Sequence, residues 1–190
     1  MPRTGLSSEQ IVQSAAALAD EIGFATLTMG VVAEKLDMRA PSLYKHVLGL
    51  DDLQHRIATL AMVELGDELR DALQGRAGRD ALAALLTVVR RYATEHPGRY
   101  AATVGEPFRG QDDPFLHAAT RLLRSITAVI SGYGIPAADA DHAARTLRCL
   151  LHGFASLLIS DAFQWDADID LTFEWMIGFA DLGLRGVSSA

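Results

Sequence analysis

The sequence predicts an all-α protein, and three observations carry that prediction. Hydrophobic residues make up 49% of its 190 residues, enough for a packed core and too many for a disordered chain. Alanine and leucine dominate, and apolar positions recur at the spacing of helix faces. Runs of Val, Ile, Thr and aromatic residues at period two, which would mark strands, are absent.

The elements follow in order. Ser7-Ser8-Glu9-Gln10 reads as a capping box, with Ser7 and Gln10 each satisfying the other's backbone N–H. Ile11, Ala15, Leu18, Ala19 and Ile22 then keep helical spacing until Gly23 stops the helix. Phe24, Leu27, Val31, Val32 and Leu36 complete a small core with it. A second helix is expected from about Thr28, its N-cap, to Leu36. Asp37-Met38-Arg39 forms a tight turn, and a third helix is expected over about Ala40 to Val47, with Pro41 in its first turn. Gly49 breaks it, and Asp51 and Asp52 open a fourth helix where their charge suits the dipole. That helix runs to about Leu73. Further helices are expected from about Asp80 to Glu95, Pro114 to Ser131, Ala138 to Phe163 and Asp168 to Arg185, with a short helix and a loop between Arg99 and Asp113.

Composition narrows the function. One cysteine, Cys149, excludes an internal disulfide framework and a Cys-rich zinc site. Lying in a helix among apolar residues such as Leu147, Leu150 and Leu151, without a CxxC partner, it reads as a buried, inert thiol. The opening Met1-Pro2-Arg3-Thr4-Gly5 leads into a polar helix cap without an apolar leader, and no apolar stretch could cross a bilayer. The chain reads as soluble and cytoplasmic. The net charge of −7 argues at first against nucleic acid, but it is unevenly spread. Residues 1–50 carry 4 basic and 5 acidic groups, a sum of −1, and the rest carries 13 and 19, a sum of −6. Both lysines, Lys35 and Lys45, lie in the first segment, so DNA binding there is permitted.

A short helix, a tight turn and a second short helix with polar side chains outward is the layout of a helix-turn-helix, whose second helix enters the major groove. Val32, Leu36, Met38, Leu43 and Val47 supply its buried side. Thr28, Arg39, Ser42, Tyr44, Lys45 and His46 supply groups able to bond phosphates and base edges. Each alone has a plainer reading: Tyr44 can pack on the fourth helix, and His46, Lys45 and Arg39 can be ordinary surface groups.

The ordered runs Phe24-Ala25-Thr26-Leu27-Thr28, Val32-Ala33-Glu34-Lys35-Leu36 and Ala40-Pro41-Ser42-Leu43-Tyr44-Lys45-His46-Val47 resemble the DNA-binding domain of TetR-type regulators over about residues 8–55. The resemblance implies a DNA-binding domain at residues 1–52 and a larger helical ligand-binding and dimerisation domain at 53–190. It implies that Thr28, Tyr44 and His46 contact phosphates, while Ala40, Pro41, Ser42 and Lys45 face base edges. It also implies a repressor released from a palindromic operator by a small molecule. Three departures stand out. Asp37 occupies a turn position where the family often has glycine. Leu50 stands where a phosphate-gripping lysine often precedes the fourth helix, and Gly30 where the tetracycline repressor has a base-reading arginine. With those two cations missing, the salt dependence of binding should be shallow.

In the final helix Ile169, Phe173, Met176, Ile177, Ala180 and Leu184 form an apolar stripe that Leu171, Trp175 and Leu182 widen. Leu147, Leu150, Leu151, Phe154, Leu158 and Ile159 line the preceding helix. So wide an arc calls for burial on two sides. A homodimer through the last two helices would provide it and would place two recognition helices about 34 Å apart. A monomer's core would also account for the pattern. The segment Arg145 to Phe154, with its His152-Gly153 pair, resembles a C-terminal subtype of the same family. An apolar effector pocket would draw on Tyr92, Tyr100, Phe108, Phe115, His117, Arg121, His152, Phe154 and Trp175, although aromatics at helical spacing more often serve as core.

His117, His142 and His152 lack the i, i+4 spacing of a metal pair, so neither a metal nor another cofactor is expected. The function expected is a ligand-responsive regulator bound to double-stranded operator DNA. Two alternatives stand beside it. One is a helical dimeric ligand-binding protein with weak or lost DNA affinity. The other is a small helical enzyme, for which the sequence offers no phosphate loop, no Gly-x-Ser-x-Gly elbow and no metal-ligand spacing.

Overall fold

The computed structural model describes residues 6–188, and every regular element among them is helical. In chain order the first helices are α1 (Ser8–Ile22), α2 (Met29–Lys35), α3 (Ala40–Leu43) and α4 (Leu50–Leu73), with a 3₁₀ turn at Phe24–Thr26. Then come α5 (Gly78–Glu95), α6 (Pro97–Ala102), α7 (Pro114–Ser131), α8 (Ala137–Ile159) and α9 (Ile169–Ser188). The leader and charge expectations drawn from residues 1–5 lie outside the described residues. No described helix is long and apolar enough to cross a membrane.

By contact the chain forms two compact units. One runs to residue 64 and adds Glu95–Ala118; the other joins Leu65–Thr94 to residues from 119 onward. This grouping describes what packs together, whereas the division at residue 52 expected from the sequence concerns what each part does.

The first unit is built around α1. Ser7 caps it as expected: its Oγ accepts the Gln10 N–H at 3.2 Å while its own N–H donates to Gln10 Oε1 at 2.8 Å. Ile11, Ala15, Ala16, Leu18 and Ala19 are buried, and Gly23 ends the helix at φ +92°, a conformation that suits glycine. Ile22, expected on this face, is exposed at the helix end instead. Leu27, Val32, Leu43, Val47, Leu53 and Ile57 complete the core, with Phe24, Val31, Leu36 and Met38 half-buried against it. Each fully buried Leu or Ile here contributes about 1.5–3 kcal/mol.

α6 lies directly on α1 through Gly98, where a Cβ would fall 2.1 Å from the Ala19 carbonyl oxygen. The Asp20 carboxylate caps α6 by accepting the Arg99 N–H at 2.8 Å. It also faces the Arg99 guanidinium at 3.1 Å, and that group reaches Glu64 at 3.2 Å.

In the second unit Leu82, Leu85, Leu86, Val89 and Tyr92 bury one face of α5, as the spacing predicts. α8 packs on α9 through Phe154 and Phe173, whose ring centroids are 5.1 Å apart. The Arg90 guanidinium lies 4.6 Å from the Phe173 centroid and pairs with Asp170 at 2.6 Å. Tyr133 donates to Asp181 at 2.7 Å. The Arg185 bond and the Tyr133 hydroxyl hold the Asp181 carboxyl below its usual range despite burial. Two expectations are corrected here. α8 ends at Ile159, short of Phe163, as Asp161 turns the chain at φ +52°. Cys149 is exposed, because it lies two residues from both Leu147 and Leu151 and so on the opposite side of α8 from that buried pair.

Candidate nucleic-acid interface

The turn between α2 and α3 is fixed by backbone bonds that the sequence only hints at. Thr28 caps α2 by accepting the Val31 N–H at 3.2 Å. At the other end Asp37 adopts φ +50°, the left-handed conformation that aspartate tolerates better than most residues. Its N–H donates to the Glu34 carbonyl at 3.1 Å, and the Met38 N–H donates to the Ala33 carbonyl at 2.9 Å. This pair of bonds is a Schellman motif, so the glycine often found there is replaced without loss of the turn. Met38 then lies half-buried on the core and sets the direction of α3.

The third helix is shorter than expected. It is α-helical only over Ala40–Leu43, and the chain continues to Val47 in turns. The Lys45 and His46 N–H groups donate three residues back, to Ser42 at 3.4 Å and Leu43 at 2.8 Å, and Val47 donates to Leu43 at 3.1 Å. These shorter-period bonds tighten the last turn, as helix ends commonly do. Leu43 and Val47 are buried and anchor the segment.

The residues expected to meet DNA fall on one short stretch plus Thr28. Thr28, Arg39, Pro41, Tyr44 and Lys45 are exposed, and Ala40, Ser42 and His46 are half-exposed. Tyr44 keeps more than half of its surface in solvent. Arg39 and Lys45 make no ion pair among the described residues, whereas Lys35 is tied to Glu21 at 2.6 Å. Gly30 is open to solvent, and Leu50 is half-buried against the core, an apolar role that suits leucine at that position.

Two positioning residues went unrecognised in the sequence. Asp52 Oδ2 accepts the Leu48 N–H at 2.9 Å, and Asp52 Oδ1 accepts from Arg56 Nε at 3.1 Å. Arg56 Nη1 then donates to the His46 carbonyl at 3.3 Å. The carboxylate and guanidinium thus fasten the end of the recognition segment to α4. Their i, i+4 spacing was visible as a helix-surface pair; their reach to residues 46 and 48 was not.

The effector candidates do not fall into one compact unit. Tyr100, Phe108, Phe115 and His117 belong to the first unit, and Tyr92, Arg121, His152, Phe154 and Trp175 to the second. Tyr92, Tyr100, Phe115 and Phe154 are buried, while Phe108, His117, Arg121 and Trp175 are exposed. Phe108 and Phe115 meet at a centroid distance of 5.6 Å. Phe154 stands 5.1 Å from Phe163, and His152 lies 3.5 Å from the Ser156 hydroxyl. His117 Nε2 is 2.9 Å from the Gln111 carbonyl oxygen. Among the described residues no group of three or more His, Cys, Asp or Glu side chains could hold a metal ion.

Comparison with known proteins places this arrangement. A family model described as the tetracyclin repressor-like C-terminal domain matches residues 82–180. An uncharacterized HTH-type transcriptional regulator of Mycobacterium tuberculosis is 36% identical over 173 residues, covering 90% of this chain and 78% of the relative. Among solved structures, a TetR variant from Acinetobacter baumannii in complex with minocycline superposes with a TM-score of 0.73 at 20% identity, covering 98% of this chain and 100% of the other. BioQ with its natural double-stranded DNA operator gives 0.69 at 22% identity, covering 95% of this chain and 99% of the other. The chain belongs to the TetR family of helix-turn-helix transcriptional regulators.

Proposed function

We propose that this chain is a cytoplasmic, non-enzymatic repressor that binds a palindromic double-stranded operator as a homodimer and leaves it when a small, mostly apolar effector binds. The observation that carries the reading is the recognition segment itself. Arg39, Tyr44 and Lys45 stand exposed, and Arg39 and Lys45 have no ion pair among the described residues, on a segment fastened from behind by Leu43, Val47 and the Asp52–Arg56 pair. Thr28, Tyr44 and His46 would contact phosphates, and Ala40, Pro41, Ser42 and Lys45 base edges, with Arg39 beside them. Residues 1–52 form the DNA-binding part, and residues 53–190 the ligand-binding and dimerisation part. BioQ, similar in fold, has been solved on its operator, and the TetR variant with minocycline, which supports the same pair of ligands here.

The wide apolar arc of α9 supports the homodimer. Phe173, Ile177, Ala180 and Leu184 are buried within the chain, while Leu171, Trp175, Phe179 and Leu182 remain mostly exposed, Trp175 at 73%. The exposed set stands ready for α8 and α9 of a second copy.

The test is a gel shift with duplexes flanking the protein's own gene, together with duplexes selected from a random library. Binding of a palindrome is expected, weakened strongly by Lys45→Ala and by Tyr44→Ala with helicity and dimerisation unchanged. A good contact from Lys45 to a base edge is worth about 1–3 kcal/mol of discrimination. No shift at low salt with any duplex would overturn the reading, and parent-like binding by both variants would overturn the assignment of the recognition segment.

A further inference from the structure

The outward face of α8 and α9 carries opposite charge at its two ends. The helices run antiparallel across residues 160–168, with Phe154 against Phe173. Arg145 and Arg148 stand nine and six residues before Phe154, and Leu182 and Phe179 stand nine and six residues after Phe173. Helices rise equally per residue, so these four residues share one end of the face. All four are exposed. The two arginines make no ion pair among the described residues, not even with Asp141, one turn before Arg145. This end is basic and apolar.

The other end, the connection at residues 160–168, is acidic and aromatic. Asp161 and Asp166 are exposed and make no ion pair among the described residues. Asp168 is exposed and caps α9, accepting the Asp170 and Leu171 N–H groups at 2.8 and 3.0 Å. Trp165 keeps 92% of its surface in solvent, the most among the described large hydrophobic residues. About 17 Å of helix separates Arg148 from Ile159, where α8 ends, so the two ends stay apart within one chain.

A second copy of the chain can satisfy both ends, and symmetry leaves one way to do it. A two-fold axis along the helices would set each end against its own copy, arginine on arginine. An axis across the helices sets the basic end of each copy on the acidic connection of the other. Such an axis crosses α8 midway between the ends, beside Gly153 and Ser156. Both are exposed, and a Cβ at Gly153 would meet nothing within 4 Å, so two helices can approach closely there.

We propose that the homodimer is a head-to-foot, two-fold pair registered by charge. Arg145 and Arg148 of each copy hold the acidic 160–168 connection of the other, and Trp165 covers Phe179 and Leu182 of the other copy. The charges fix orientation and register, which an apolar arc alone leaves free. The inference rests on the homodimer reading above, and its test separates the two.

Sedimentation velocity of the full-length protein reads the outcome. Dimerisation of the parent should weaken as sodium chloride is raised, because salt screens such pairs. One variant carries Arg145→Glu and Arg148→Glu. The other carries Asp161→Asn, Asp166→Arg and Asp168→Asn, asparagine being able to keep the left-handed turn at 161 and the cap at 168. Each alone should dimerise at least about tenfold more weakly than the parent, with circular dichroism unchanged. Mixed in equal amounts, the two should form a heterodimer, since each then offers the charge that the other requires. Parent-like dimerisation by either variant, a mixture that stays monomeric, or a parent dimer indifferent to salt would overturn the head-to-foot arrangement while the homodimer stands. A parent that is monomeric at low salt would overturn the homodimer reading itself.

Discussion

Replacing Gly98 by alanine should separate α6 from α1 and destabilise the first unit sharply. The added Cβ would sit 2.1 Å from the Ala19 carbonyl oxygen, 2.2 Å from its carbon and 2.6 Å from the Asp20 nitrogen. All three are backbone atoms of a helix, so no side chain can swing aside. Reaching an ordinary separation of roughly 3.5 Å requires the two helices to part by about 1 Å or more. That displacement carries the Arg99 N–H, now 2.8 Å from Asp20 Oδ1, beyond hydrogen-bonding range. Overpacking of this kind costs about 1–3 kcal/mol, and the lost charge-assisted bond adds about 1.5–3 kcal/mol. At about 2–4 °C per kcal/mol for a chain of this length, the melting temperature should fall by at least about 5 °C. Thermal unfolding followed by circular dichroism at fixed protein concentration measures it, with Gly30→Ala as the counterpart. A Cβ at Gly30 meets only Thr28 Oγ1, at 3.8 Å, so that alanine should stabilise by about 0.5–1 kcal/mol. A Gly98→Ala protein melting with the parent would refute the close approach of α6 and α1.

Three further perturbations test other contacts. The Asp52→Ala variant removes the acceptor for Leu48 and the partner of Arg56; amide exchange at Leu48 should accelerate and operator affinity should fall, while the melting temperature shifts by only a few degrees. Trp175→Glu with Leu182→Glu places two charges on the exposed arc of α9; light scattering should report a monomer where the parent is a dimer, and an unchanged mass would move the interface elsewhere. Because the folded carboxyl of Asp113 is depressed from 3.8, its contribution to stability is present above that value and lost as the pH falls through the lowered one. Urea midpoints of Asp113→Asn and the parent should therefore differ most near neutrality and converge in strong acid; a constant difference would contradict the assignment.

Much of the helix-turn-helix was legible in the sequence because its determinants are local. The Ser7–Gln10 box, the Thr28 cap and the Asp37 turn each close bonds within five residues, and chemistry at that range is written in neighbouring side chains. The same periodicity placed Leu82, Leu86 and Tyr92 inward on α5 and Phe173, Ile177 and Leu184 inward on α9. Cys149 was misplaced because its burial was read from sequence neighbours, and residues at i±1 point to other faces of a helix.

Other features depend on where the chain returns. Gly98 is the contact point with Ala19, on a helix it meets only after the chain folds back. His55 on α4 meets Glu106 and Asp113, 51 and 58 residues away, at its two ring nitrogens, a pairing that nothing in its neighbouring residues announces. The shortened α3 follows from the same cause, because Leu43 and Val47 are fixed by the core and Leu48 by Asp52. By itself the sequence determined the all-helical class, the caps and the exposed polar run from Arg39 to His46. Only the tertiary structure decided which charges are paired and which helices touch, because hydrogen bonds across such separations form only after hydrophobic burial has brought their ends together.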